Sequence, residues 1–139
     1  MPLSEQQYPN LVIQGYTERS PLNKRYNCIA WAAEDTAHWW WPHPQAKWLA
    51  NAPREVTIAA FVTMFEGLGY EACENADLEE GYKKVAIYAL AGEPKHAARQ
   101  LPNGSWTSKI GGNIDIEHTL QGLEGPFYGT VVAFMKKAR

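Results

Sequence analysis

The sequence predicts an α+β fold, with short helices in its first half and an antiparallel sheet in its second. Three observations carry that expectation. Across residues 54–68 the apolar positions Ile58, Phe61, Val62, Phe65 and Leu68 fall at helical spacing. Beyond them the period changes, and residues 84–89, KVAIYA, read as a buried strand. Finally, Asn103-Gly104 lies between two strand-like runs, which is the strongest short-range hairpin signal. A chain of 139 residues that is 45% hydrophobic and 20% charged suits a single globular domain over residues 1–139 with a sizeable core.

Residues 1–22 are expected to be irregular, because Pro2, Pro9 and Pro21 interrupt any regular element. Asn27 offers a side-chain N-cap, so a short helix is predicted over residues 28–34. Residues 39–53 read as a loop held by Pro42, Pro44 and Pro53. The amphipathic helix over 54–68 is closed by Gly67 and Gly69. After the strand over 84–89, Gly92-Glu93-Pro94 forms a turn, and strands are predicted over 96–101 and 106–110. Residues 114–120 read as a short helix and residues 130–135 as a last strand. Helices first and strands afterwards make N-terminal helices packed on a small antiparallel sheet.

Charge and composition exclude several function classes. The net charge is −2 and no basic cluster exceeds the tail at residues 136–139, so no nucleic-acid partner is expected. No apolar run approaches a membrane span, and the polar opening residues do not form a secretory leader. Cys28 and Cys73 read as free thiols in a reducing compartment, which makes the cytoplasm the expected location.

The candidate chemistry begins at Cys28. A thiolate is the reactive form of cysteine, and the positive end of a helix lowers a thiol's pKa. Cys28 stands one residue past the proposed cap, and needs a histidine base from elsewhere in the fold. Of His38, His43, His96 and His118, His96 has the best setting, at a strand start just after a turn. A two-residue turn at Asn103-Gly104 would pair Leu101 with Trp106, Ala98 with Lys109 and His96 with Gly111. That register places His96, Ala98, Gln100, Thr107 and Lys109 on one face. The orienting acceptor is expected from just past this second strand, where Asp115 is the nearest carboxylate and Glu117 and Asn113 are rivals.

Trp39, Trp40 and Trp41 either lid the core or line a groove beside Cys28. On the groove reading, Asn27, Trp40, Trp41 and Lys109 contact the substrate. Cys73 lies between Glu71 and Glu74, which makes it the less reactive thiol. His38 and His43 flank the tryptophans, but four histidines and two scattered cysteines do not build a metal site, so no metal or cofactor is expected.

The strings YNCIAWA, KVAIYA, HAARQLPNGSWTSKIG and DIEH, spread over residues 24–135, resemble a family of small uncharacterised bacterial proteins. Their order is similar to that of the papain-like superfamily, including NlpC/P60 and CHAP domains. The resemblance implies a papain-like fold in which Cys28 is the nucleophile and His96 the base, with Asp115 as orienter. It further implies a cysteine-dependent hydrolase or acyltransferase acting on a peptide, isopeptide or glutamine side-chain amide. The rival expectation is a non-catalytic protein-binding module on the same fold, of the kind found in toxin–immunity pairs.

Overall fold

One antiparallel sheet carries the fold. In the computed structural model, which describes residues 3–139, its strands are β1 (Thr17–Ser20), β2 (Glu71–Cys73), β3 (Tyr82–Leu90), β4 (Glu93–Gln100), β5 (Trp106–Lys109), β6 (Asp115–His118) and β7 (Thr130–Ala138). In space they run β1-β6-β5-β4-β3-β7-β2. The helices are α1 (Pro9–Gln14), α2 (Cys28–Ala32), α3 (Ile58–Gly67) and α4 (Leu120–Leu123), and only 18% of the chain is helical. This corrects the expected fold class. The chain is β-rich and built on seven strands, not a papain-like set of helices on a small sheet.

The physical reason lies in three segments whose strand character is weak when read alone. Residues 115–118, expected within a helix, form β6, because pairing on both sides outweighs local preference: β5 and β1 both hydrogen-bond to it. Residues 17–20, in the stretch expected to be irregular, supply the edge strand β1, and α1 precedes it with Pro9 in its first turn. Met1 and Pro2, which open that stretch, lie outside the described residues. The short strand β2 covers only part of β7, at Phe134, Met135 and Lys136.

The capped helices form where expected but are shorter. Asn27 Oδ1 accepts the Ala30 N–H at 3.2 Å to start α2. Thr57 Oγ1 accepts the Ala60 N–H at 3.1 Å to start α3, which buries Ala60, Phe61, Met64 and Phe65 on one face. Burying Phe61 and Phe65 contributes about 2 kcal/mol each before entropy is charged against it.

Side chains alternate across the sheet and divide the core in two. Val85, Ile87, Ala97 and Met135 face α2 and α3, together with Cys28, Trp31 and Trp48. Ala86, Tyr88, Ala98, Trp106 and Ile116 face the other way, against Tyr8, Leu11, Leu123 and Tyr128.

The β4–β5 hairpin departs from the expected register by one residue. Gln100 pairs with Trp106 and Arg99 with Thr107, because the connection is a wider loop closed by Leu101 N–H to the Ser105 carbonyl at 2.8 Å. A one-residue slip turns every side chain to the opposite face. Thr107 and Lys109 therefore lie on the side of Arg99 and Ala97, while His96 lies on the side of Ala98 and Trp106.

Candidate functional site

Cys28 opens α2 and reaches a stretch where the seam between β4 and β5 is left open. β4 pairs with β5 only at Arg99 and Gln100, and the Ala97 backbone N–H, beyond that pairing, lies close enough to the Cys28 thiol to favour its thiolate. The Ile29 N–H and the Cys28 N–H point at the same sulfur, and the Lys109 charge acts on it too; all favour the thiolate. Burial outweighs them. Cys28 is 6% exposed, and desolvation pushes its thiol up to about 11, so the resting group is an uncharged SH.

Above the sulfur is a cleft of about 350 Å³ lined by Cys28, Trp39, Trp41, Lys95, Phe127 and Tyr128 among others. Trp39 and Phe127 are 41% and 42% exposed, unusual for rings of that size. A second cleft of about 410 Å³, bordered by Ser4, Gln7 and Asn113, shares Gly111, Phe127 and Tyr128 with the first. The two thus share one wall. At Gly111 a side chain would meet only open space.

The tryptophan run divides its labour. Trp40, expected in the groove, is 3% exposed and its indole Nε1 donates to Asp35 Oδ2 at 2.8 Å. Trp41 does line the cleft, with its edge against Phe61 at 5.3 Å between centroids. Trp39 lines it as well. Asn27 borders the cleft, yet its amide is committed on both sides: Oδ1 accepts from Ala30 and Trp40, and Nδ2 donates to the Trp40 carbonyl.

His96 is fully buried. Its ring stacks on Tyr128 at 4.1 Å between centroids, with Tyr88 edge-on at 5.3 Å. Neither ring nitrogen has a hydrogen-bond partner among the described residues. Burial, reinforced by His118, holds its pKa well below the ordinary histidine value, so it too is uncharged at rest. The thiol lies near the backbone of Ala97, the residue after His96, while the His96 ring points to the opposite face of the sheet. Thiol and ring form no hydrogen bond with each other.

Asp115 does not reach His96. It lies opposite Lys109 in the β5–β6 register, on the α2 face of the sheet, where its Oδ2 accepts the Tyr26 hydroxyl at 3.5 Å and its Oδ1 has no partner among the described residues. Lys109, expected at the substrate, is buried beneath α2. Its Nζ donates to the carbonyls of Asn23 (2.5 Å), Tyr26 (3.1 Å) and Gly111 (2.9 Å) and sits 4.7 Å from the Tyr26 ring centroid. It holds the chain that leads into Cys28, and it does not line the cleft. The cation at the cleft is Lys95, whose Nζ also lies 3.1 Å from Glu93.

Sequence reasoning missed Phe127 and Tyr128. The signal was present in Gly125-Pro126-Phe127-Tyr128-Gly129, where two adjacent aromatics sit in a glycine-framed turn that cannot bury both. A different histidine makes the tightest contacts: His118 Nε2 accepts the Ser108 hydroxyl at 2.7 Å while Nδ1–H donates to the Thr119 carbonyl at 2.6 Å. That pair is buried and lines none of these clefts. His38 lies 2.9 Å from Asp35, and among the described residues no three metal-ligating side chains converge. Among the same residues, no helix is long and apolar enough to cross a membrane.

No curated protein and no solved structure matches this chain. A family model does match, over residues 17–136, from the edge strand β1 nearly to the end of β7 and including Cys28, His96 and the aromatic cleft. The chain therefore belongs to the family described as a domain of unknown function, DUF7689.

Proposed function

We propose that the cleft over Cys28 binds an apolar side chain, preferably aromatic, presented by a peptide or protein. The observation that carries this reading is the pair of exposed rings, Trp39 and Phe127, lining one cleft whose floor is a protonated thiol. Concave sites with aromatic walls and few polar groups are those that take ligands of side-chain size. The shared wall at Gly111, Phe127 and Tyr128 lets an extended segment continue into the second cleft, where Ser4, Gln7 and Asn113 offer hydrogen bonds. Tryptophan fluorescence titrated with N-acetyl-phenylalanine amide and with a short Phe-containing peptide tests the reading. Saturable binding that weakens at least tenfold in Trp39→Ala and in Phe127→Ala supports it. Equal affinity in the wild type and both variants would sink it.

A second reading, cysteine-dependent hydrolysis or acyl transfer, is favoured by one specific observation. Leaving both nitrogens of a buried imidazole unpaired costs stability, and His96 bears that cost beside the backbone that lies near the thiol. This reading requires the His96 ring to turn within hydrogen-bond reach of the thiol, after which Cys28 Sγ attacks an amide carbonyl carbon as its proton passes to His96. The resulting oxyanion is held by backbone N–H groups at the α2 start, and His96 returns the proton to the departing amine. Water then releases the acyl group from the thioester. Because thiol and imidazole are both neutral at rest, proton transfer accompanies attack. Cys28→Ala separates the two readings: ligand affinity persists under the first, and turnover of an amide is lost under the second.

A further inference from the structure

At the other end of α2 lies a cleft of a different character, about 150 Å³, lined by Glu34, Tyr70, Lys83, Lys84, Arg99 and Arg139 among others. Its charges do not balance. Glu34 is taken by Lys83, at 2.6 Å. Lys84 Nζ donates to Asn75 at 3.1 and 3.3 Å and faces Glu79 at 3.5 Å. That leaves two guanidinium groups, Arg99 and Arg139, and neither makes a salt bridge among the described residues.

Arg99 is fixed in place without using its terminal nitrogens. Its Nε donates to the Trp31 carbonyl at 3.0 Å, and its planar group lies over the Trp31 ring at 4.7 Å. Burial lowers its pKa from the ordinary arginine value, although the Glu34 and Asp115 charges act the other way; neither carboxylate reaches it as a salt bridge among the described residues. Lys137 is outside the cleft's lining but near it, 5.9 Å from the Tyr70 ring centroid. Burial holds the Tyr70 hydroxyl protonated, with a pKa near 12, so it can only donate to an anion. Lys83, Lys84, Arg99 and Arg139 thus face the single carboxylate of Glu34 in one small cleft, in a chain whose net charge is −2.

We propose that this cleft binds a tetrahedral oxyanion, a phosphate or sulfate group, between the guanidinium forks of Arg99 and Arg139, with Lys83 and the Tyr70 hydroxyl beside it. Two arginine forks can together reach several oxygens of such a group, whereas a spherical halide offers them no paired acceptors. A free anion and a phosphomonoester offer the same chemistry. The ester's organic body would extend past Pro102 toward the adjoining cleft, which Arg139 also lines.

The test is calorimetric titration of the full chain with inorganic phosphate, sodium sulfate and glycerol phosphate at constant ionic strength, with chloride as reference. Arginine Nε–H resonances are followed in parallel. The expected result is saturable binding of phosphate and sulfate, a shift of the Arg99 Nε–H signal, and at least a tenfold loss of affinity in Arg139→Gln and in Arg99→Lys. Arg139 is exposed, so its substitution leaves the fold intact even if changes at Arg99 do not. Glycerol phosphate binding tighter than phosphate identifies an ester as the natural group, and the reverse order identifies the free anion. Phosphate acting no differently from chloride, or binding unchanged in Arg139→Gln, overturns the proposal.

Discussion

Asn27 grips Trp40 by both polar ends of its backbone: Oδ1 accepts the Trp40 N–H at 3.1 Å and Nδ2 donates to the Trp40 carbonyl at 2.7 Å. The same oxygen caps α2 through Ala30. One amide thus fixes both the helix that carries Cys28 and the tryptophan run that walls its cleft. Asn27→Ala removes the cap and leaves two buried backbone groups unpaired, and should destabilise the chain by about 2–3 kcal/mol. Asn27→Asp keeps the cap but cannot donate to the carbonyl, so its loss should be smaller. Denaturant unfolding of both variants checks the order, and equal losses would contradict the double grip.

The two thiols should label in the order opposite to that expected of an activated Cys28. Cys73 is partly exposed, while Cys28 is buried with its pKa pushed up to about 11. Iodoacetamide at pH 7.5 should therefore modify Cys73 first, and the Cys28 rate should climb up to about pH 11 for as long as the fold persists. Peptide mass mapping along a pH series measures this. Rapid labelling of Cys28 near pH 6 would instead favour the hydrolase reading.

Acid should unfold this protein through its histidines before its carboxylates titrate fully. Burial depresses the pKa of His118 from 6.5 to about 4 and holds that of His96 well below its ordinary value. Below pH 6.5 the unfolded chain then binds protons that the folded chain does not. Stability is complete above pH 6.5 and falls as pH drops toward 4, at up to roughly 1.4 kcal/mol per pH unit for each histidine. His96→Phe retains the stacked ring and removes both unpaired nitrogens, so it should reduce that slope and raise stability at neutral pH by about 1 kcal/mol. Guanidinium midpoints between pH 7 and pH 5 report both effects.

Lys109→Met should cost about 3 kcal/mol, since it strips a charged donor from the carbonyls of Asn23, Tyr26 and Gly111 and removes one of the cations acting on buried Asp115. Urea unfolding measures the loss. A change below about 0.5 kcal/mol would mean that water reaches those carbonyls.

Two glycines with nearly the same backbone angle should respond differently to alanine. At Gly129, φ is +80° and a Cβ would lie 1.8 Å from the Ala89 carbonyl oxygen, a backbone atom that cannot step aside. Gly129→Ala should lose roughly 3 kcal/mol or more, enough to abolish soluble expression. At Gly15, φ is +81° and ψ 164°, a region kept almost wholly for glycine, but the space is open, so Gly15→Ala should cost about 1–3 kcal/mol, all of it backbone strain. Expression and melting of the two variants decide it.

The capped helices and the strands over 84–89 and 96–101 were legible because local chemistry encodes them: Asn27 as cap, the Phe61–Phe65 spacing, the Asn-Gly hairpin. The sheet's extent was not legible, because β1, β2 and β6 are three or four residues long and become strands only through their partners. Cys28 was found at a cleft because its position after Asn27 is local information. The expected Cys28, His96, Asp115 and Lys109 constellation depended on one hairpin register, and the wider loop moved Lys109 and Asp115 to the face away from His96. Turn type, unlike turn position, was set by Leu101 and Ser105 rather than by the Asn-Gly pair.

The placement of β7 has a consequence for how the molecule is made. β7 is the last of the described strands, yet it pairs with β3 along its length, Ile87 opposite Ala133 and Tyr82 opposite Ala138. During synthesis β3, rich in Val, Ile and Tyr, has β4 on one side and nothing on the other until residues 130–138 leave the ribosome. An unpaired edge of that composition recruits other chains. Nascent molecules should therefore depend on holdase binding near β3, and truncation before residue 130 should divert the product from folding into β-rich aggregates.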